Sequence, residues 1–127
     1  MATVELTLDN FESTISDNDT VIVDFWAEWC GPCRTFAPTF ETASEANDDI
    51  VFGKVDTEAQ QELAASFGIR SIPTLMVFRD NVLLYNEAGA LPPAALDSLI
   101  EQVKALDMDD VRRQIQEQEQ SDHEHSA

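Results

Sequence analysis

Cys30 and Cys33 are the only cysteines among 127 residues. Side chains at i and i+3 of a helix are neighbours, with Cβ atoms roughly 5–6 Å apart. A disulfide needs about 3.5–4.5 Å, which a slightly tightened first turn supplies. The pair can therefore pass between dithiol and disulfide with little backbone movement. As a staple it would do little, because closing so short a loop barely restricts the unfolded chain. At a helix N-terminus Cys30 would meet unsatisfied N–H groups and the positive end of the dipole. Both favour the thiolate, the form that attacks disulfides. Cys33, one turn in, would be more shielded and stay a thiol until needed. The intervening Gly31-Pro32 carries no charge. A His there would stabilise the thiolate and make an oxidant. Without one the dithiol gives up electrons readily, and the pair reads as a reductant. The competing reading is half of a zinc site. Zinc takes four ligands, and His123 and His125 are the only histidines. They fall in the run Asp122-His123-Glu124-His125, which reads as a solvated terminus, so no metal site is expected.

The pair needs a strand before it and a helix after it. Thr20–Ala27 is a nearly continuous apolar run, the pattern of a strand buried on both faces. A helix is expected from near Cys30 to about Ala46, with Pro32 in its first turn and Pro38 as an internal kink. Before these, residues 3–8 alternate as a short strand, and Asp9 reads as the N-cap of a helix over Asn10–Ile15, with Glu12 at the capping-box position. After them come a strand over Ile50–Asp56 and a helix from Glu58 to Phe67, capped by Asp56 or Thr57 and stopped by Gly68. Thr74–Phe78 and Val82–Asn86 read as a hairpin about Arg79-Asp80-Asn81, and a last helix opens at Pro92 or Pro93 and runs to about Leu106. The order βαβαβαββα predicts an α/β fold with a central mixed five-stranded sheet flanked by four helices. Residues 1–106 form the expected domain. Residues 107–127 form an acidic extension, with a short helix over Met108–Gln118 and disorder expected over Gln116–Ala127. Val111 and Ile115, four apart, could dock it on the domain.

Asp24 lies inside the strand expected to be covered on both faces. Burial there would raise its pKa and suit it to accept a proton near neutral pH.

Two motifs make the pattern specific. The run Val23-Asp24-Phe25-Trp26-Ala27-Glu28-Trp29-Cys30-Gly31-Pro32-Cys33 resembles the thioredoxin active-site signature, and Gly68-Ile69-Arg70-Ser71-Ile72-Pro73-Thr74 resembles the second motif of that family. The resemblance extends over residues 3 to about 106 and implies a thioredoxin fold. It implies that Cys30 is the attacking nucleophile and Cys33 the resolving thiol of a redox-active disulfide. Asp24 matches the buried carboxylate behind the pair, Lys54 the lysine near that carboxylate, and Pro73 a cis-proline facing the disulfide. Trp29, Gly31, Pro32, Ile72, Pro73, Gly89 and Ala90 would form the substrate groove, where a cis Ile72-Pro73 bond would leave the Ile72 backbone free to pair with an extended segment. Ser71 and Arg34 stand where some relatives carry Gly and Lys. Thioredoxins are themselves the standard example of a lowered thiol pKa and a reducing potential. The implied activity is reduction of protein disulfides by a monomer with no bound cofactor, recharged by an NADPH- and flavin-linked thioredoxin reductase. The alternative is a thioredoxin-like binding or chaperone module whose acidic extension is the interaction element.

Charge bounds the partners. Twenty-five acids face seven Lys and Arg, a net charge of −18. Residues 1–105 carry 18 acids and 5 bases, a net of −13, and residues 106–127 carry −5. Nucleic acid and anionic membranes are poor partners for such a surface, and substrates with basic patches are favoured. No apolar run approaches a membrane span. Met1–Leu6 shows neither a basic nor an apolar leader region, so a cytoplasmic protein is expected.

Overall fold

Each strand of the sheet owes its place to which of its faces is apolar. A computed structural model describes residues 2–125, with side chains through Ser121. The elements are β1 (Thr3–Glu5), α1 (Phe11–Asp17), β2 (Thr20–Trp26), α2 (Gly31–Ala46), β3 (Val51–Asp56), α3 (Gln61–Ser66), β4 (Thr74–Arg79), β5 (Val82–Ala88), α4 (Pro93–Ala105) and α5 (Met108–His125). The strands lie in the order β1-β3-β2-β4-β5. β1 and β2 pair with β3 in parallel, and β4 pairs antiparallel with both β2 and β5. This is the mixed five-stranded sheet expected from the element order.

Alternation along the central strands splits the core in two. Ile22, Phe52, Leu75 and Val77 meet Phe36, Phe40 and Ala43 of α2 and Leu96, Ile100 and Val103 of α4. Val21, Val23, Phe25, Val55, Met76 and Phe78 meet Phe11 and Ile15 of α1 and Leu63 of α3 on the other face. Every residue from Thr20 to Phe25 is buried, as a strand covered on both sides requires.

Several boundaries differ from the sequence reading for local reasons. β1 stops at Glu5, although Leu6 still donates one ladder bond to Lys54 O. Asn10, rather than Asp9, is the N-cap residue of α1, and its amide bonds back to Thr7 N–H and Glu5 O instead of capping the helix. The α3 helix starts only at Gln61, because Asp56 Oδ1 accepts the Glu58 and Ala59 N–H groups and holds that stretch as a turn. The β4–β5 turn puts Asp80 and Asn81 at φ 51° and 66°, which suits a two-residue hairpin loop and residue types that tolerate it.

The extension carries a longer helix than the one expected over Met108–Gln118. α5 continues to His125, through residues expected to be disordered. Gln, Glu and Arg are good helix formers. Asp107 Oδ1 caps the first turn through the Asp109 and Asp110 N–H groups, and Arg112–Asp109 and Arg113–Asp110 add i,i+3 pairs. Ser126 and Ala127 lie outside the described residues. Val111 is half-buried and Ile115 is 37% exposed. The base of α5 is instead held by buried Met108 and by Arg112 on Asp80, while Arg79 donates to the Val103 and Leu106 carbonyls at the end of α4. Among the described residues, no helix is long and apolar enough to cross a membrane.

Gly53 of β3 has no room for a side chain. A Cβ there would lie 2.3 Å from Leu6 Cδ1 and 2.7 Å from its Cγ, and Leu6 is itself buried. Gly53→Ala should lower stability by about 1–3 kcal/mol in urea unfolding through overpacking. Combined with Leu6→Ala, which removes the obstruction, its added cost should largely vanish. Simple additivity of the two would show that the contact is not the cause.

Candidate active site

β2 delivers the chain to the site and α2 carries it away. Ala27 is fully buried, and its carbonyl accepts the Cys30 N–H at 3.2 Å, closing a tight turn between strand and helix. Cys30 is the N-cap of α2, extended at φ −86° and ψ 111°. Its carbonyl accepts the Arg34 N–H, and its sulfur accepts the Cys33 N–H at 3.2 Å. Pro32 falls in the first turn, where a missing N–H costs nothing. Cys30 and Cys33 are joined as a disulfide with Cα atoms 5.2 Å apart. Both are buried, while Gly31 and Pro32 between them are exposed. A Cβ on Gly31 would meet nothing within 4 Å.

The second motif closes on the first. Cys30 Sγ lies 3.7 Å from the Ile72 carbonyl oxygen, and Ile72 packs against the cluster of Ala27, Cys30 and Cys33. The Ile72–Pro73 bond is cis. Gly89, at φ 117°, donates its N–H to Pro73 O at 2.8 Å, joining the end of β5 to this edge. Ala90 follows in an exposed loop. Trp29 is 67% exposed beside Cys30. The residues assigned to the groove by resemblance thus come from three separate segments that meet at one end of the sheet.

Asp24 sits mid-strand between Lys54 and Leu75 and is 1% exposed. By alternation it shares the α2 and α4 face with Ile22. Neither carboxylate oxygen has a hydrogen-bond partner among the described residues. Burial pushes its pKa up and the Lys54 charge pulls it part of the way back, leaving it at about 7. Lys54 lies beside Asp24 in register, but no ion pair joins them among the described residues. Its ammonium stands over the Trp26 ring, 4.7 Å from the centroid. It acts on Asp24 through its field and makes its direct contact with the indole.

Two tethers were not visible in the sequence. Arg34 donates to Glu28 O at 2.9 Å, and the Trp29 indole N–H donates to Glu58 Oε1 at 2.6 Å. Glu28, Trp29, Asp56 and Glu58 line an open cleft of about 380 Å³. The Asp56 turn was legible as a cap, but nothing at a separation of 29 residues pointed to Trp29. An apolar hollow of about 330 Å³, lined by Leu8, Phe11 and Leu63 among others, lies on the α1 and α3 face and takes no part in the site. No group of three or more metal-ligating side chains occurs among the described residues.

Such an arrangement can exchange disulfides. The paired sulfurs sit at a helix terminus beneath the exposed Gly31-Pro32 turn, and a carboxyl able to titrate near neutrality lies in the strand leading to them.

The thioredoxin family model matches residues 2–102. "Putative thioredoxin 2" of Streptomyces coelicolor is 59% identical over 118 residues, covering 93% of this chain and 88% of its own. The thioredoxin of Bacillus subtilis is 39% identical over 101 residues, covering 79% and 96%. Among solved structures, a mutant thioredoxin from Halobacterium salinarum superposes with a TM-score of 0.75 at 35% identity, over 83% of this chain and 92% of its own. Plasmodium falciparum thioredoxin gives 0.72 at 39% identity, over 79% and 97%.

A raised carboxyl pKa opposes folding once the group must ionise. With a folded pKa of about 7 against an ordinary 3.8, Asp24 costs nothing where both states are protonated, below about pH 4. The cost grows between these two values and levels off above pH 7, at no more than about 4 kcal/mol. Asp24→Asn should therefore stabilise the protein, with a gain in urea unfolding that is large at pH 8 and small at pH 4. A gain independent of pH would contradict the buried charge.

Proposed function

Because the chain belongs to the thioredoxin family and carries a redox-active Cys30–Cys33 pair, we propose a specific cycle for its activity as a thiol-disulfide oxidoreductase. The observation that carries it is the disulfide at the N-terminus of α2, with the Cys33 N–H on the Cys30 sulfur.

In the dithiol state that N–H and the helix terminus favour a Cys30 thiolate. Cys30 Sγ attacks one sulfur of a substrate disulfide, a mixed disulfide forms, and the other substrate sulfur leaves as a thiolate and takes up a proton. Cys33 loses its proton to Asp24, directly or through water, and attacks Cys30 Sγ. The mixed disulfide breaks, the second substrate sulfur leaves as a thiolate and takes up a proton, and the Cys30–Cys33 disulfide forms. Two electrons have passed from the protein to the substrate. The substrate segment lies along Trp29, Gly31, Pro32, Ile72, Pro73, Gly89 and Ala90, with Lys54 tuning Asp24 from the neighbouring strand. This placement is supported by the convergence of those segments at one end of the sheet and by the raised pKa of Asp24.

The finer assignments follow the family. A thioredoxin reductase linked to NADPH through flavin restores the dithiol, and the protein works as a monomer without a bound cofactor. Its partners are disulfide-bearing proteins, those with basic patches favoured by the net charge of −18. Its working compartment is the cytoplasm, where a lone cysteine pair serves catalysis more often than structure. Residues 1–106 form the redox unit, and residues 107–127 are an addition to it. The redox pair favours this reading over a binding module built on the extension.

The test is reduction of insulin driven by dithiothreitol. The wild type should accelerate it, and Cys30→Ser should run no faster than dithiothreitol alone. Cys33→Ser should accumulate substrates bound covalently to Cys30. Equal rates for wild type and Cys30→Ser, or no trapped mixed disulfide, would overturn the cycle.

A further inference from the structure

Trp29 is exposed, yet it is held. It directly precedes Cys30, and its backbone is fixed on both sides, by the Cys30 N–H on Ala27 O and by the Arg34 guanidinium on Glu28 O. Only the indole would remain free to turn. The 2.6 Å bond from Nε1–H to Glu58 Oε1 removes that freedom, and a carboxylate acceptor makes it a strong one. Glu58 in turn stands on a fixed base. Its own N–H is taken by Asp56 Oδ1. The preceding Thr57 donates both its N–H, at 2.9 Å, and its hydroxyl, at 3.1 Å, to Trp26 O. Both ends of the indole bond are thus tied to the C-terminal end of β2, within a few residues of the disulfide. An aromatic ring that is 67% exposed buries too little surface for this fixing to serve the core.

We propose that Glu58 is a positioning residue of the substrate groove, holding the Trp29 indole as a preset wall beside Cys30 so that a protein substrate docks on an ordered aromatic surface. The proposal rests on the reading of the chain as a protein-disulfide reductase and deepens it. Immobilising a free side chain during docking weakens binding by about two- to tenfold, and the tether removes that loss in advance. A protein substrate reaches the indole with the residues flanking its disulfide. A small aromatic disulfide engages the sulfurs and little else, so the two substrates should respond differently when the tether is cut.

The experiment compares the full chain with Glu58→Ala and Glu58→Gln, the latter keeping a neutral acceptor. Substrates are insulin and 5,5′-dithiobis(2-nitrobenzoate), and the Trp29 indole N–H is followed by NMR. Glu58→Ala should raise KM for insulin about three- to tenfold, with a smaller change in kcat. Its indole N–H resonance should shift and exchange faster with solvent, and Glu58→Gln should recover part of both effects. An unchanged KM for insulin, or an indole resonance that does not move, would overturn the proposal. So would equal losses on insulin and the small disulfide, because Glu58 would then act on the dithiol chemistry itself. If the wild type reduces neither substrate, the reductase reading fails and the proposal with it.

Discussion

The hydrogen bond from the Cys33 backbone N–H to the Cys30 sulfur is the contact on which the rest of this structure depends. It makes a cysteine the N-cap of a sixteen-residue helix, a position that usually goes to Ser, Thr, Asp or Asn because their oxygen accepts the orphan N–H groups. A sulfur placed there inherits the same donors and the positive end of the dipole. The structural cost is low, since Pro32 needs no N–H partner and Gly31 is free of neighbours. The opposing term is the protein's own charge. At −18 the molecule disfavours any new anion at long range, whereas the helix terminus acts at contact distance. Salt screens the first within about 8 Å at physiological strength and leaves the second almost untouched.

The sheet serves this contact by holding both ends of it. β2 is central, buried on two faces and paired on both sides, so its C-terminal end is a fixed point from which α2 begins. The same burial makes Asp24 costly. A carboxyl with no hydrogen-bond partner among the described residues, in the middle of a central strand, weakens the fold at neutral pH and above, and no packing argument calls for it. In the proposed cycle that carboxyl is the proton acceptor, and its raised pKa is then the useful property, set against the stability lost at this position.

Much of this was legible in the sequence where the determinants are local. The strand order, the two-sided burial of Thr20–Phe25 and the start of α2 at the cysteine pair follow from apolar runs, turn residues and a proline in a first turn. The burial of Asp24 followed from its neighbours. What was not legible depended on reach. Lys54 lies beside Asp24 in register, yet its long side chain ends over Trp26, a choice that spacing does not encode. Glu58 meets Trp29 only because Thr57 anchors the turn to Trp26. β1 ended early because Asn10 folds back onto Glu5 and Thr7. In α5, polar composition suggested disorder while helix propensity, an Asp cap and two i,i+3 pairs all pointed the other way.

The central claim is that the α2 terminus holds Cys30 as a thiolate against the field of a strongly acidic protein. The most direct measurement is the pKa of the Cys30 thiol in the reduced protein, from the ultraviolet absorbance of the thiolate, with Cys33→Ser to isolate the signal. Helix control predicts a value clearly below the ordinary thiol value of about 8.5, changing little with added salt. A value at or above about 8.5, falling as salt screens the acidic surface, would mean that net charge governs the thiol and the helix terminus does not.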